Sequence, residues 1–217
     1  MTILRHHRHL VLGTLAGLFL SLAGASAQVV GISNLAETKT NDFSVDNFQS
    51  LGARFTTGTG TWQLTSVDLY ASLNVPFPPE ANFEVSLYSV SGGLPDQKIV
   101  DLTGPNPTGT FATLNYVPAT ATTLQPSTSY YIVASSPSMD GSYVWGSTTS
   151  TSFTGLPGWT LFAGNAANSG SWGLNPGLAA PMVAVNVAAV PEPSPIALAA
   201  LAFIALAAYR HSTARRA

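Results

Sequence analysis

The chain has 217 residues with a formal net charge of −2, and only 8 % of them are charged against 46 % hydrophobic; a typical charged share is about 25 %. This length suggests one domain once two apolar ends are set aside, and the Gly-, Pro-, Ser-, Thr- and Asn-rich remainder fits short strands and turns rather than long helices. With no cysteine there are no disulfides. Without a basic patch between residues 28 and 189, where Lys39, Arg54 and Lys98 face nine acidic side chains, nucleic acid is excluded as a partner.

The first 27 residues, MTILRHHRHLVLGTLAGLFLSLAGASA, read as a secretory signal peptide. Arg5 and Arg8 lie in the n-region, and Leu10 to Ala23 forms the apolar stretch. Ala25-Ser26-Ala27 supplies the small residues of a cleavage site, so the mature chain is expected to begin at Gln28. The alternative is an uncleaved N-terminal anchor, for which the apolar run is short.

From Gln28 onward the dominant period is two, the signature of strands. SLGARFTTG alternates Leu51, Ala53 and Phe55. In TSVDLYASL, Val67, Leu69, Ala71 and Leu73 share a face opposite Asp68, Tyr70 and Ser72. NFEVSLYSV sets Phe83, Val85 and Leu87 against Glu84, Ser86 and Tyr88, and TSYYIVASS sets Tyr131 and Val133 against Tyr130, Ile132 and Ala134. APMVAVNVAA aligns Val183, Val185 and Val187, while KIVDL, FATLNYV, SYVWGS and GWTLFAG are shorter candidates. The stretches TGTGT, NVPFPPE, SGGLPD, TGPNPTG, SPSMDGS and NAANSG read as turns. Nine or so such strands predict an all-β fold, an antiparallel, jelly-roll-like β-sandwich over residues 28–187. A signal helix and a short apolar C-terminal helix are expected to flank it.

Residues 188–217 read as a linker, a motif, an apolar helix and a basic tail. Pro191, Pro193 and Pro195 prevent a helix from running through VPEPSP. Ser194 suits an N-cap and Pro195 the first helical position. The apolar run Ile196 to Tyr209 is about 21 Å long as a helix, against a hydrocarbon core of about 30 Å. Arg210, Arg215 and Arg216 follow and should stay cytoplasmic. Such a segment can hold a chain in the membrane transiently but makes a poor permanent anchor.

This ordered ending, Pro191-Glu192-Pro193, apolar helix, then RHSTARR, resembles the PEP-CTERM sorting signal of Gram-negative bacteria. The resemblance implies recognition and cleavage near the motif by an exosortase-type membrane enzyme, after signal peptidase has acted. It also implies delivery to the cell surface or medium of bacteria that make exopolysaccharide. A plain tail anchor with chance prolines is the alternative. The stretches NLAETKTNDFSV, LGARFTTGTGTWQLTSVDLYASL, FEVSLYSVSGGLPD, TTLQPSTSYYIVASS and GSYVWGSTTS with GWT resemble the choice-of-anchor R family of exported bacterial domains. That resemblance implies no established catalytic activity and carries over no functional residues.

His6, His7, His9 and His211 all lie in the end segments. The central domain therefore lacks the residues for Ser-His-Asp or Cys-His nucleophilic chemistry and for the usual zinc or copper sites. Glu80 and Glu84 could pair for glycoside hydrolysis, but two solvated charges explain them as well. A Ser-Lys dyad through Lys39 or Lys98 is weaker still. A structural calcium site could draw on Asn41, Asp42, Asp46 and Asn47, or on Asp96 and Asp140, although turn-forming residues need no metal; no cofactor is expected. Trp62, Trp145, Trp159, Trp172, Tyr143 and Tyr88 could stack on sugar rings, or pack in the core as strand aromatics commonly do. GTGTW and GNAANSGSWG lack phosphate-loop spacing.

The sequence thus points to a non-enzymatic exported surface or extracellular-matrix protein, held transiently in the inner membrane. A carbohydrate-binding module for exopolysaccharide is the alternative, and a glycan-active enzyme a more distant one.

Overall fold

A computed structural model describes residues 27–73, 82–137 and 143–190. Ala25, the Pro191-Glu192-Pro193 motif, Arg210, Arg215, Arg216, both expected flanking helices, NVPFPPE and most of SPSMDGS lie outside the described residues. Ala27–Ala189 forms one compact unit. It is all-β and antiparallel, with no helix among the described residues.

The described residues form sixteen strands, in chain order. The first eight are β1 (Gln28–Ser33), β2 (Asn41–Val45), β3 (Ser50–Thr56), β4 (Trp62–Leu73), β5 (Glu84–Ser91), β6 (Leu94–Thr103), β7 (Ala112–Pro118) and β8 (Thr122–Leu124). The rest are β9 (Ser129–Ser135), β10 (Tyr143–Thr148), β11 (Thr154–Gly155), β12 (Thr160–Leu161), β13 (Gly164–Asn168), β14 (Trp172–Pro176), β15 (Ala180–Pro181) and β16 (Val183–Ala189). They pair in the order β11-β1-β16-β4-β7-β6-β5-β9-β3-β13-β14, with β10 joining β4, β2 and β15 at one side. The sheet is curled. Its two halves meet at β6 and β7 through only two residue pairs, Leu102 with Pro118 and Thr103 with Val117.

Alternation explains the curl's interior. Val67 and Leu69 of β4, Val183, Val185 and Val187 of β16, Val85 and Leu87 of β5, Ile132 and Ala134 of β9, and Leu51 and Phe55 of β3 share one core. Each such buried aliphatic or aromatic side chain contributes about 1.5–3 kcal/mol relative to exposure. The GG tip of SGGLPD forms a two-residue hairpin between β5 and β6, with Gly92 and Gly93 at φ 59° and 85°. Positive φ at both positions is what a turn matching strand twist requires. Leu94 to Asp96, expected in that turn, already belong to β6.

Bulges interrupt the period of two. In β4, Ser66 opposes Asn186 and Leu64 opposes Val187, so Thr65 is extra and both Leu64 and Val67 point inward. In β1, Gly31 is the extra residue, between Val30 opposite Asn186 and Ile32 opposite Val185. A β-carbon at Gly31 would lie 2.9 Å from the Trp159 ring. NAANSG differs most from expectation: Gly164–Asn168 is strand β13, and only its end turns. Buried Asn165 is satisfied there, donating to the Ala179 carbonyl at 3.2 Å and accepting from Asn175 at 3.1 Å. GWTLFAG yields just the two residues of β12.

A second apolar cluster covers the other face of β9. Tyr131, Val133 and Ala166 form it, with Tyr88, Val90 and Trp172 packed against them. The β13–β14 hairpin brings this about, since β14 comes within 8 Å of β6 between Cα atoms.

Candidate functional site

Inward placement of Phe83, Val85 and Leu87 turns Glu84, Ser86 and Tyr88 to the opposite face of β5. On β6, Asp101 stands opposite Ser86 and Lys98 opposite Tyr88. A spacing of three would put Lys98 and Asp101 on opposite faces of a regular strand. The register instead slips between Leu87 opposite Val100 and Tyr88 opposite Lys98, so Ile99 is bulged out and 45 % exposed. The bulge brings the ammonium and the carboxylate to one face.

There Lys98 Nζ lies 2.9 Å from Asp101 Oδ1, and Ser86 Oγ donates to the same oxygen at 2.8 Å. The hydrogen bond from Lys98, then that from Ser86, holds the Asp101 carboxyl below the usual carboxylate range. The same bond to Asp101 raises the Lys98 ammonium above its ordinary value.

These groups border a groove of about 380 Å³ whose polar lining is Asn82, Glu84, Lys98, Asp101, Thr103 and Asn106. The part of its lining that follows β6, Gly104 and Asn106, is held in place. Tyr116 Oη donates to the Pro105 carbonyl at 2.8 Å, and Asn106 Oδ1 accepts the Phe83 N–H at 3.1 Å. A β-carbon at Gly104 would meet the Tyr116 ring and stand 2.6 Å from the Asn115 carbonyl, so only glycine lets this segment lie so close to β7.

The arrangement bears on the chemistry weighed from sequence. A glycosidase acid needs a raised carboxyl pKa, and Asp101 is shifted the other way. A Ser-Lys dyad needs a readily deprotonated lysine, whereas Lys98 is stabilised as the cation and Ser86 donates to a carboxylate. Lys39 is likewise paired with Asp42 at 2.7 Å and sits 4.5 Å from the centre of the Phe111 ring. Glu84 lines the groove; Glu80 lies outside the described residues.

The tryptophans sit apart from one another in role. Trp145 is fully buried in the main core and donates its Nε1–H to the Met182 carbonyl at 2.9 Å. Trp159, 3 % exposed, stacks on Phe55 with ring centres 5.9 Å apart, and the half-buried Trp62 meets it edge-on at 6.3 Å. Glycines of TGTGT lie against these two indoles, a β-carbon at Gly60 falling 2.9 Å from Trp62 Nε1. That loop is therefore a packing device. Trp172 is half-buried over the second cluster, beside the half-buried Tyr88, while Tyr143 is buried. Of the aromatics singled out in sequence, Tyr88, Trp172 and Trp62 retain surface.

The candidate calcium ligands are spoken for locally. Asp42 pairs with Lys39, and Asp46 Oδ1 accepts the N–H groups of Phe48 and Gln49 at 2.8 and 2.9 Å. Among the described residues no three His, Cys, Asp or Glu side chains gather where they could hold a metal ion. Asp140 lies outside the described residues, and Asp96 is exposed on β6. Arg54, by contrast, has no carboxylate partner among the described residues. It lies 4.2 Å from the centre of the Phe162 ring and donates weakly to the Gly93 carbonyl at 3.5 Å.

Compared with known proteins, the chain matches no family model and no curated protein.

Proposed function

We propose that this is a non-enzymatic exported protein of the cell surface or extracellular matrix, built on a jelly-roll-like β-sandwich. Signal peptidase releases it at Ala27–Gln28, and an exosortase-type enzyme processes it at Pro191-Glu192-Pro193. Between these steps the apolar helix, stopped by Arg210, Arg215 and Arg216, holds it in the inner membrane. The observation that carries this reading is how the folded unit meets its ends. Gln28 pairs with Ala188 on adjacent strands, and Ala27–Ala189 packs as one unit. Among the described residues the buried apolar side chains run from Ile32 to Ala188, inside both address segments, which supports removal of those segments from a unit that is already folded. The mature unit would keep neither histidine nor cysteine, in line with a structural or binding role.

Substituting Pro191 and Glu192 together by alanine tests the sorting step. The expected result is a membrane-retained chain with its C-terminal tail still attached. Unchanged release of the doubly substituted chain would contradict the proposal.

A second reading, carbohydrate binding, is favoured by the groove beside β5 and β6. Its neighbouring donors and acceptors suit hydroxyl groups, and Tyr88 opposes Lys98 on the adjoining strand.

A further inference from the structure

Resting on that second reading, we infer that the groove takes a neutral, hydroxyl-rich glycan and not an acidic polymer. Two observations combine. First, the lining alternates groups of fixed and opposite polarity. Glu84 and Asp101 only accept, Lys98 only donates, and Thr103, Asn82 and Asn106 can do both. A sugar hydroxyl donates and accepts from one oxygen, so neighbouring hydroxyls can satisfy an ammonium and a carboxylate set side by side. A ligand carboxylate only accepts and would face Glu84 and Asp101 without compensation. Lys98 is already paired with Asp101 at 2.9 Å, so its charge is balanced within the groove and draws an anion only weakly, while its remaining N–H groups can still donate to hydroxyls.

Second, the surrounding field disfavours polyanions. Residues 28–189 carry three basic and nine acidic side chains, a net charge of −6. Such a surface repels an acidic polymer before contact. Arg54, which has no carboxylate partner among the described residues, is held against Phe162 and Gly93 and is not among the residues lining the groove. The volume, about 380 Å³, is that of a small-ligand site. It suits a chain end or a short internal segment, not a long polymer track.

The test is affinity electrophoresis of the exported protein, recovered from its host, through gels carrying soluble polysaccharides. One set is a panel of neutral glucans, galactans and mannans; the other is polygalacturonate. Retardation is expected with a member of the neutral panel only. Lys98→Met should weaken it about tenfold or more, the effect of losing one hydrogen bond to a charged group, and Glu84→Gln by less, because the amide oxygen still accepts, with thermal unfolding little changed. Binding to polygalacturonate alone would overturn the ligand class and leave the carbohydrate reading standing. Binding to neither set would overturn both. Neutral binding at full strength in both variants would overturn the groove as its site.

Discussion

Trp145→Ala separates core packing from surface display most sharply. The indole is fully buried on β10, and its Nε1–H is bonded to the Met182 carbonyl. Because that carbonyl also accepts the Tyr70 N–H at 3.3 Å, the substitution leaves no orphaned acceptor. The cost is then mainly lost transfer energy and the cavity, about 3–5 kcal/mol for a large aromatic cut to alanine. Against a stability of about 5–15 kcal/mol for a domain, this is a large share. With a urea dependence of about 2 kcal/mol per molar, the midpoint should fall by about 1.5–2.5 M. Far-UV circular dichroism across a urea series reads this without relying on the deleted fluorophore. Trp172→Ala, removing a half-buried ring from the smaller cluster, should cost well under half as much. Equal costs, or a Trp145→Ala midpoint close to the parent's, would refute the placement of Trp145 in the core.

Other consequences follow from single contacts. Gly31→Ala puts a β-carbon 2.9 Å from the Trp159 ring and 3.1 Å from the Val185 carbonyl; overpacking of about 1–3 kcal/mol should appear as a lower urea midpoint. Burial raises the hydroxyl pKa of Tyr116, Tyr131 and Tyr143, with Tyr143 adding to the effect at Tyr116. Their neutral forms are favoured in the fold, so that stability is present below the ordinary tyrosine pKa of about 10 and is lost as pH rises above it. Ultraviolet titration should show a fraction of tyrosines ionising late, together with alkaline unfolding. Asp101, depressed by Lys98 and Ser86, contributes stability above the ordinary carboxylate range that is lost as pH falls through its folded value. Raised Lys98 contributes below the ordinary lysine pKa and loses that contribution in strong alkali. Both groups are exposed, so Asp101→Asn should change stability by no more than about 1 kcal/mol, and less at high salt.

Much of the fold could be read wherever alternation was unbroken. Val67, Leu69 and Leu73, then Phe83, Val85 and Leu87, and Tyr130, Ile132 and Ala134 face the main core as their spacing requires. What escaped were places where a bulge changed parity. Thr65, Gly31 and Ile99 are each one residue too many for their partner strand, and a period of two has no means of announcing them. The groove was hidden for the same reason, since Lys98 and Asp101 share a face only because Ile99 is expelled. Asn-rich GNAAN resembled a turn because asparagine usually bonds its own backbone; here Asn165 bonds across to Ala179 and Asn175 instead. Tryptophan position was open as well. Aromatics favour strands on either face, and only packing sent Trp145 and Trp159 inward while leaving Trp172 at the surface.

The central claim is that a histidine-free, cysteine-free β unit is freed from both apolar ends outside the cytoplasm. Intact-mass spectrometry of the protein from envelope and medium addresses it directly. The account predicts a mature species beginning at Gln28 and ending at or near the Pro191-Glu192-Pro193 motif, without Arg210 to Ala217. A stable cytosolic species retaining both Met1 and Ala217 would contradict it.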